Sequence, residues 1–273
     1  MATSAPRDKM GYALGVLQTS QTGGILVGPL IGGLMADHMG YRYIFYATGS
    51  ITFIAGLIAT IMVKETFVRD VNKKKHSLLA NYRYVISSPG LLMIFFTLLM
   101  RQFAVMIIEP IISLYVEALK KSADYLATVT GSIFAITGLA QVITAPFWGK
   151  RSDREGYKNV LLISIIGAAI SYFPQAFVTE PYQLFVLRMV LGVFTAGVLP
   201  SIYAFTSLLA PEENRGGILG ITQSALLLGN VAGPVTGGVL AASIGIRSIF
   251  PITSCLLLLT AYLIHKIVYE IKQ

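Results

Sequence analysis

Eight runs of mostly apolar residues follow one another at 11–36, 41–63, 90–116, 125–148, 160–178, 182–209, 216–241 and 248–268. Wound as α-helices, runs of about 20 residues match the roughly 30 Å hydrocarbon core of a bilayer. In lipid a segment must satisfy its own backbone N–H and C=O groups, so each run reads as a helix crossing the membrane. The balance of residues agrees: 55% are hydrophobic and 12% charged, against about 25% charged in soluble domains. No soluble core could hide so much apolar surface.

The net charge of +8 does not point to nucleic acid, because the basic residues sit in short segments between apolar runs. Counted in alternate loops, fifteen Lys and Arg fall on one side, four on the other, and Arg101 and Arg188 lie inside runs. By the positive-inside rule this puts both termini and the stretch 64–88 on the cytoplasmic side. That stretch carries Lys64, Arg69, Lys73, Lys74, Lys75, His76 and Arg83, and its second part, HSLLANYRYVISSP, reads as a short surface helix.

Residues 5–45 recur without a gap 205 positions later, at 210–250, with 16 of 41 columns identical. Runs one and two therefore match runs seven and eight. The duplication divides the chain into 1–63, two helices ending a first half; 64–88, a cytoplasmic linker; and 89–273, a complete six-helix second half. A first half of equal size implies about four further helices before Met1. The other reading makes runs one and two an appendage to a six-helix protein.

Each copy holds a glycine–proline element. The first is Gly15, Gly24, Gly28, Pro29, Gly32 and Gly33; the second is Gly220, Gly229, Gly233, Pro234, Gly237 and Gly238. Glycines four apart line one helix face and admit a neighbouring backbone, and a proline inside a helix removes a donor and bends it. Between runs four and five lies a charged loop with Gly149, Asp153, Arg154, Gly156 and Lys158. Its glycines permit a tight turn, and Asp153 can cap the next helix or pair with a basic residue, forming a clasp that one conformation closes. A looser form, Gly33-x3-Asp37-x2-Gly40-x-Arg42, lies on the outer side.

A charge within a span costs several kcal/mol unless it is paired or faces water. Glu109, the one carboxylate well inside a run, precedes Pro110 and is a proton-carrier candidate. The alternative makes it a partner to an arginine. Arg101 lies eight residues earlier, within roughly 80° of it around the helix. Arg188 is either a cavity arginine or a structural one bonded to carbonyls. Gln18, Gln223, Gln102, Tyr115 and Phe134 are candidates to line a substrate cavity, with helix packing as the alternative. One cysteine and three scattered histidines carry no metal-ligand spacing. Nothing has the nucleophile-and-base spacing of an enzyme, and no catalytic residue is assigned.

The residues Gly15–Gly33 resemble the antiporter signature of the major facilitator superfamily, in its twelve-helix drug:proton antiporter branch. Gly149–Lys158 resembles that superfamily's loop signature, and Leu184-x3-Arg188-x3-Gly192, continuing to Gly197 and Pro200, its arginine signature, both in second-half copies. The resemblance covers helices five to twelve. It implies an all-α polytopic bundle of about eight transmembrane helices in the cell membrane. It further implies multidrug efflux by alternating access, with hydrophobic drug-like substrates, protons and lipid as partners. No cofactor is implied beyond the proton gradient, and no nucleic acid. The alternative is a truncated, non-transporting fragment, or a chain whose missing helices a partner supplies.

Overall fold

The computed structural model describes residues 10–62, 78–119, 124–211 and 214–270, with the side chains of 10–22, Leu78 and 267–270 outside that description. Every described element is helical. In order they are α1 (Met10–Met39), α2 (Tyr41–Met62), α3 (Leu78–Ser87), α4 (Pro89–Ile108), α5 (Ile112–Leu119), α6 (Leu126–Glu155), α7 (Tyr157–Tyr172), α8 (Pro181–Thr195), α9 (Val198–Leu209), α10 (Arg215–Ile244) and α11 (Ile249–Glu270). Among the described residues seven segments are long and apolar enough to cross a membrane. The eighth expected span, 11–36, falls on the 30-residue helix α1. The chain is thus an all-α, multi-pass membrane protein.

The internal repeat is visible in the helix ends. α1 and α10 begin and end at positions 205 apart. Each stops at a glycine in the left-handed region, Gly40 with φ +89° and Gly245 with φ +84°, a conformation open to glycine at little cost. After Gly40 the chain enters α2 directly; after Gly245 it makes a 3₁₀ turn, Ile246–Ser248, before α11.

Three helices depart from the expected spans. The third span is broken at Glu109–Ile111 into α4, a 3₁₀ turn and α5, because Pro110 has no N–H to continue the ladder. The sixth is two helices, α8 and α9, parted at Ala196–Gly197. At Gly197 a Cβ would strike the Ser164 hydroxyl and lie 3.1 Å from the Trp148 ring. The fourth runs on as α6 through Gly149 to Glu155, so the turn falls at Gly156 alone (φ +88°). A single left-handed residue suffices to reverse the chain there.

The core lies among α4, α7, α8, α10 and α11, with Leu91, Ile94, Leu98, Leu161, Ile165, Leu184, Ile218 and Phe250 buried. α1 packs along α6, α10 along α4, and α6 along α8. α3 forms within the second part of the linker and seats Asn81 and Val85 against the bundle, with the Asn81 amide close under Gly217 of α10. α2 has no buried residue; its outward Phe45, Phe53 and Ile61 suit a lipid or helix neighbour better than water.

Candidate functional site

Where α1, α6 and α8 meet the break after α4, a cavity of about 520 Å³ opens. Gly24, Ile25 and Pro29 line it from α1, and Phe134, Thr137, Gly138 and Gln141 from α6. Glu109 enters at the end of α4, and Arg188 from α8. The helix break places Glu109: its N–H still bonds to the Val105 carbonyl, and Pro110 then ends the regular ladder. Two of the three spanning charges singled out from sequence therefore share one space, beside a helix of the glycine–proline element.

Arg188 is 2% exposed. Its Nε donates to Gln175 Oε1 at 3.1 Å, and its guanidinium carbon lies 5.8 Å from the centre of the Tyr172 ring. Its Nη2 is buried and has no hydrogen-bond partner among the described residues. Arg188 shares the cavity with Glu109, and Arg101 lies eight residues before it, on α4. Neither forms an ion pair with it within 4.0 Å among the described residues, where Arg151–Glu155 is the one such pair. Arg101 instead donates from Nη1 to Gln102 Oε1 at 2.6 Å, while its Nε is buried without a partner among the described residues.

The polar and aromatic candidates divide. Phe134 lines the cavity. Tyr115 does not; it is buried, stacks 4.9 Å from Phe250, and donates its hydroxyl to the Gln175 carbonyl at 2.7 Å. Gln102 bridges α4 to α10 by donating to Asn230 Oδ1 at 2.7 Å. Gln223 donates to the Tyr203 hydroxyl at 2.6 Å. Gln18 and Gly15 belong to α1, but the Gln18 side chain and the surroundings of Gly15 lie outside the description.

The two glycine elements are used differently. In the second copy Gly229, Gly233 and Gly237 all press on α4. A Cβ at Gly229 would lie 2.8 Å from both Gln102 Cβ and Phe103 N, one at Gly233 would strike Met106, and one at Gly237 the Ile107 carbonyl. In the first copy a Cβ at Gly33 would strike the Ala127 carbonyl of α6. At Gly24, Gly28 and Gly32, as at Gly220 and Gly238, it would meet no described atom within 4 Å. α6 supplies the missing closeness itself: Gly131 sits on the Pro29 carbonyl, and Gly138 lies against Leu26. The helix-face spacing Gly131-x6-Gly138 was the sequence signal for this. Pro234 lies inside α10 as Pro29 lies inside α1.

At one end of this contact, Asp37 of α1 accepts the backbone N–H groups of Ala127 (3.2 Å) and Thr128 (2.6 Å), capping α6 from another helix. Burial pushes the Asp37 carboxyl up, but hydrogen bonds from Thr128 and Ala127 outweigh it and hold it below the usual carboxylate range. At the opposite end of α6, Asp153 does not cap α7; it accepts the Tyr157 hydroxyl at 3.2 Å. Arg151 and Glu155 pair at 2.8 Å, one turn apart, and Arg154 and Lys158 flank them at the surface of that turn.

The model of the Major Facilitator Superfamily matches residues 1–129 and again 121–270. Among curated relatives, the multidrug resistance protein MdtG of Salmonella paratyphi A is 37% identical over 265 residues, which is 96% of this chain and 65% of the relative. MdtG of Salmonella arizonae and of Salmonella typhi are each 36% identical over the same shares. The chain thus spans about 65% of the length of these relatives. With two family matches, a duplicated helix pair and apolar spans throughout, the chain belongs to the Major Facilitator Superfamily.

Proposed function

We propose that the chain serves as a secondary transporter of the cell membrane, exporting hydrophobic drug-like molecules in exchange for protons by alternating access. One observation carries this: Glu109 and Arg188 line one cavity together with the Gly24–Pro29 stretch of α1. The names of the MdtG relatives support the substrate class. Phe134, Ile25 and the small Gly138 wall give an apolar, adaptable surface, with Thr137 and Gln141 as its polar groups. Glu109 carries the proton. Ionised, it is drawn toward Arg188; protonated, it loses that attraction, so the two states stabilise different helix arrangements. The cytoplasmic placement of both termini follows from the basic-residue asymmetry, and the proton gradient is the energy source, with no cofactor.

The second reading, a chain that does not transport unaided, draws on α2, where no described residue is buried. One experiment separates the two. The purified chain is reconstituted into liposomes carrying a pH gradient, and movement of a fluorescent lipophilic dye is followed with and without a protonophore. Export predicts dye movement that the protonophore collapses and Glu109→Gln abolishes. Movement indifferent to the protonophore refutes proton coupling, and no movement at all favours the second reading.

A further inference from the structure

We infer that Gln175 is a positioning residue, holding the Arg188 guanidinium so that it faces Glu109 across the cavity as a cation with no acidic partner. The inference deepens the proposed role of Glu109 and rests on it. Gln175 is fully buried in the 3₁₀ turn Phe173–Phe177, which joins α7 to α8. Its two amide ends are assigned by their neighbours. Nε2 donates to the Ser171 carbonyl at 2.9 Å, and Oε1 accepts Arg188 Nε at 3.1 Å. Turned over, the amide would set a donor against the arginine N–H and an acceptor against a carbonyl, so one orientation is stable. The turn itself is pinned, because the Gln175 carbonyl accepts the Tyr115 hydroxyl at 2.7 Å. Tyr115 is in turn locked against Phe250.

The chemistry of the anchor matters as much as its geometry. A buried arginine held by a carboxylate would have its charge cancelled locally. Held by a neutral amide, it keeps its full field, and the Tyr172 ring beneath supports that charge without neutralising it. Among the described residues Nη2 is left without a partner, on a side chain that lines the cavity. Among the described residues, the titratable groups around Glu109 are Arg188 of α8, Arg101 of α4 and Tyr172 of α7. Among the described residues, α1 and α6 contribute no titratable side chain to the cavity lining. Of the three, Arg188 is the one that lines the cavity with Glu109; Arg101, held by Gln102, does not. Changing Gln175 therefore changes the field at Glu109 without touching the cavity wall.

The test is an infrared titration of the Glu109 carboxyl in the purified chain, its band assigned by absence in Glu109→Gln. Gln175→Glu puts an anion on Arg188 and should raise the midpoint by about one pH unit, roughly tenfold in proton affinity. Gln175→Met, similar in volume but without an acceptor, frees Arg188 to approach Glu109 and should lower the midpoint. Shifts of opposite sign from two substitutions at one buried position are not what loosened packing produces. If either folded variant titrates at the wild-type midpoint, Gln175 is structural and the inference is overturned. If Glu109→Gln instead retains full proton-coupled dye movement, the proposed function falls whatever the titration shows.

Discussion

Asp37 offers the sharpest check on how α1 is held. Its carboxylate is the acceptor for two backbone N–H groups at the start of α6, at 3.2 and 2.6 Å. Replacing an N-cap Asp by Ala costs about 0.5–2 kcal/mol. Bonds to a charged acceptor would raise that, but the site is half-exposed and screened, so we expect a loss of about 1–2 kcal/mol from Asp37→Ala. For a chain of this size that is about 2–4 °C in Tm, read by intrinsic fluorescence on heating in detergent. Asp37→Asn keeps one acceptor oxygen and should lose less. The pH dependence has a definite sign. A carboxyl held below its ordinary value of 3.8 stabilises the fold fully above that value, and this is lost as pH falls through the folded-state value. The gap in Tm between wild type and Asp37→Ala should therefore be complete at neutral pH and close on acidification. An Asp37→Ala chain melting with wild type at neutral pH, or a gap that widens in acid, refutes the capping argument.

Three further perturbations concern glycines. Gly237→Ala drives a Cβ into the Ile107 backbone carbonyl, which cannot swing away, and should cost about 1–3 kcal/mol. Gly28→Ala meets no described atom outside its own helix and should melt within about 1 °C of wild type, or slightly above it, since Ala is the better helix former. At the turn between α6 and α7, Gly156 holds φ +88°, so Gly156→Ala should lose about 1–2 kcal/mol. Unchanged melting there would show that the turn relaxes into another conformation.

Much of the helix layout was legible because its causes are local. The 205-residue repeat carries the ends of α1 and α10, down to the paired glycine stops at Gly40 and Gly245. The break after Glu109 follows from the missing donor of Pro110. Helix pairing is different in kind. The two glycine elements read alike along the chain, yet one packs on α4 through three of its glycines and the other on α6 through Gly33. A helix can be apposed by its own small residues or by those of its partner, and Gly131 and Gly138 serve α1 in the second way. Spacing along one helix cannot distinguish these, because the deciding residues lie on another.

The same reasoning explains why the charges were placed only halfway. From spacing, Glu109 could be compared with Arg101, because both lie on one helix and a helical wheel relates them. That comparison says nothing of Arg188, which reaches the cavity only through the fold of α7 and α8. In the structure the nearer residue along the chain is the one diverted: Arg101 donates to Gln102, which bridges to Asn230 of α10. Arg188, anchored by a neutral amide, keeps a nitrogen unpartnered among the described residues. A buried cation left partly unsatisfied is costly unless something later completes it. Glu109 lines the same cavity and changes charge with a single proton. An arrangement tolerated at that cost is better explained by a pairing made in one conformation and broken in another than by stability of the state seen here.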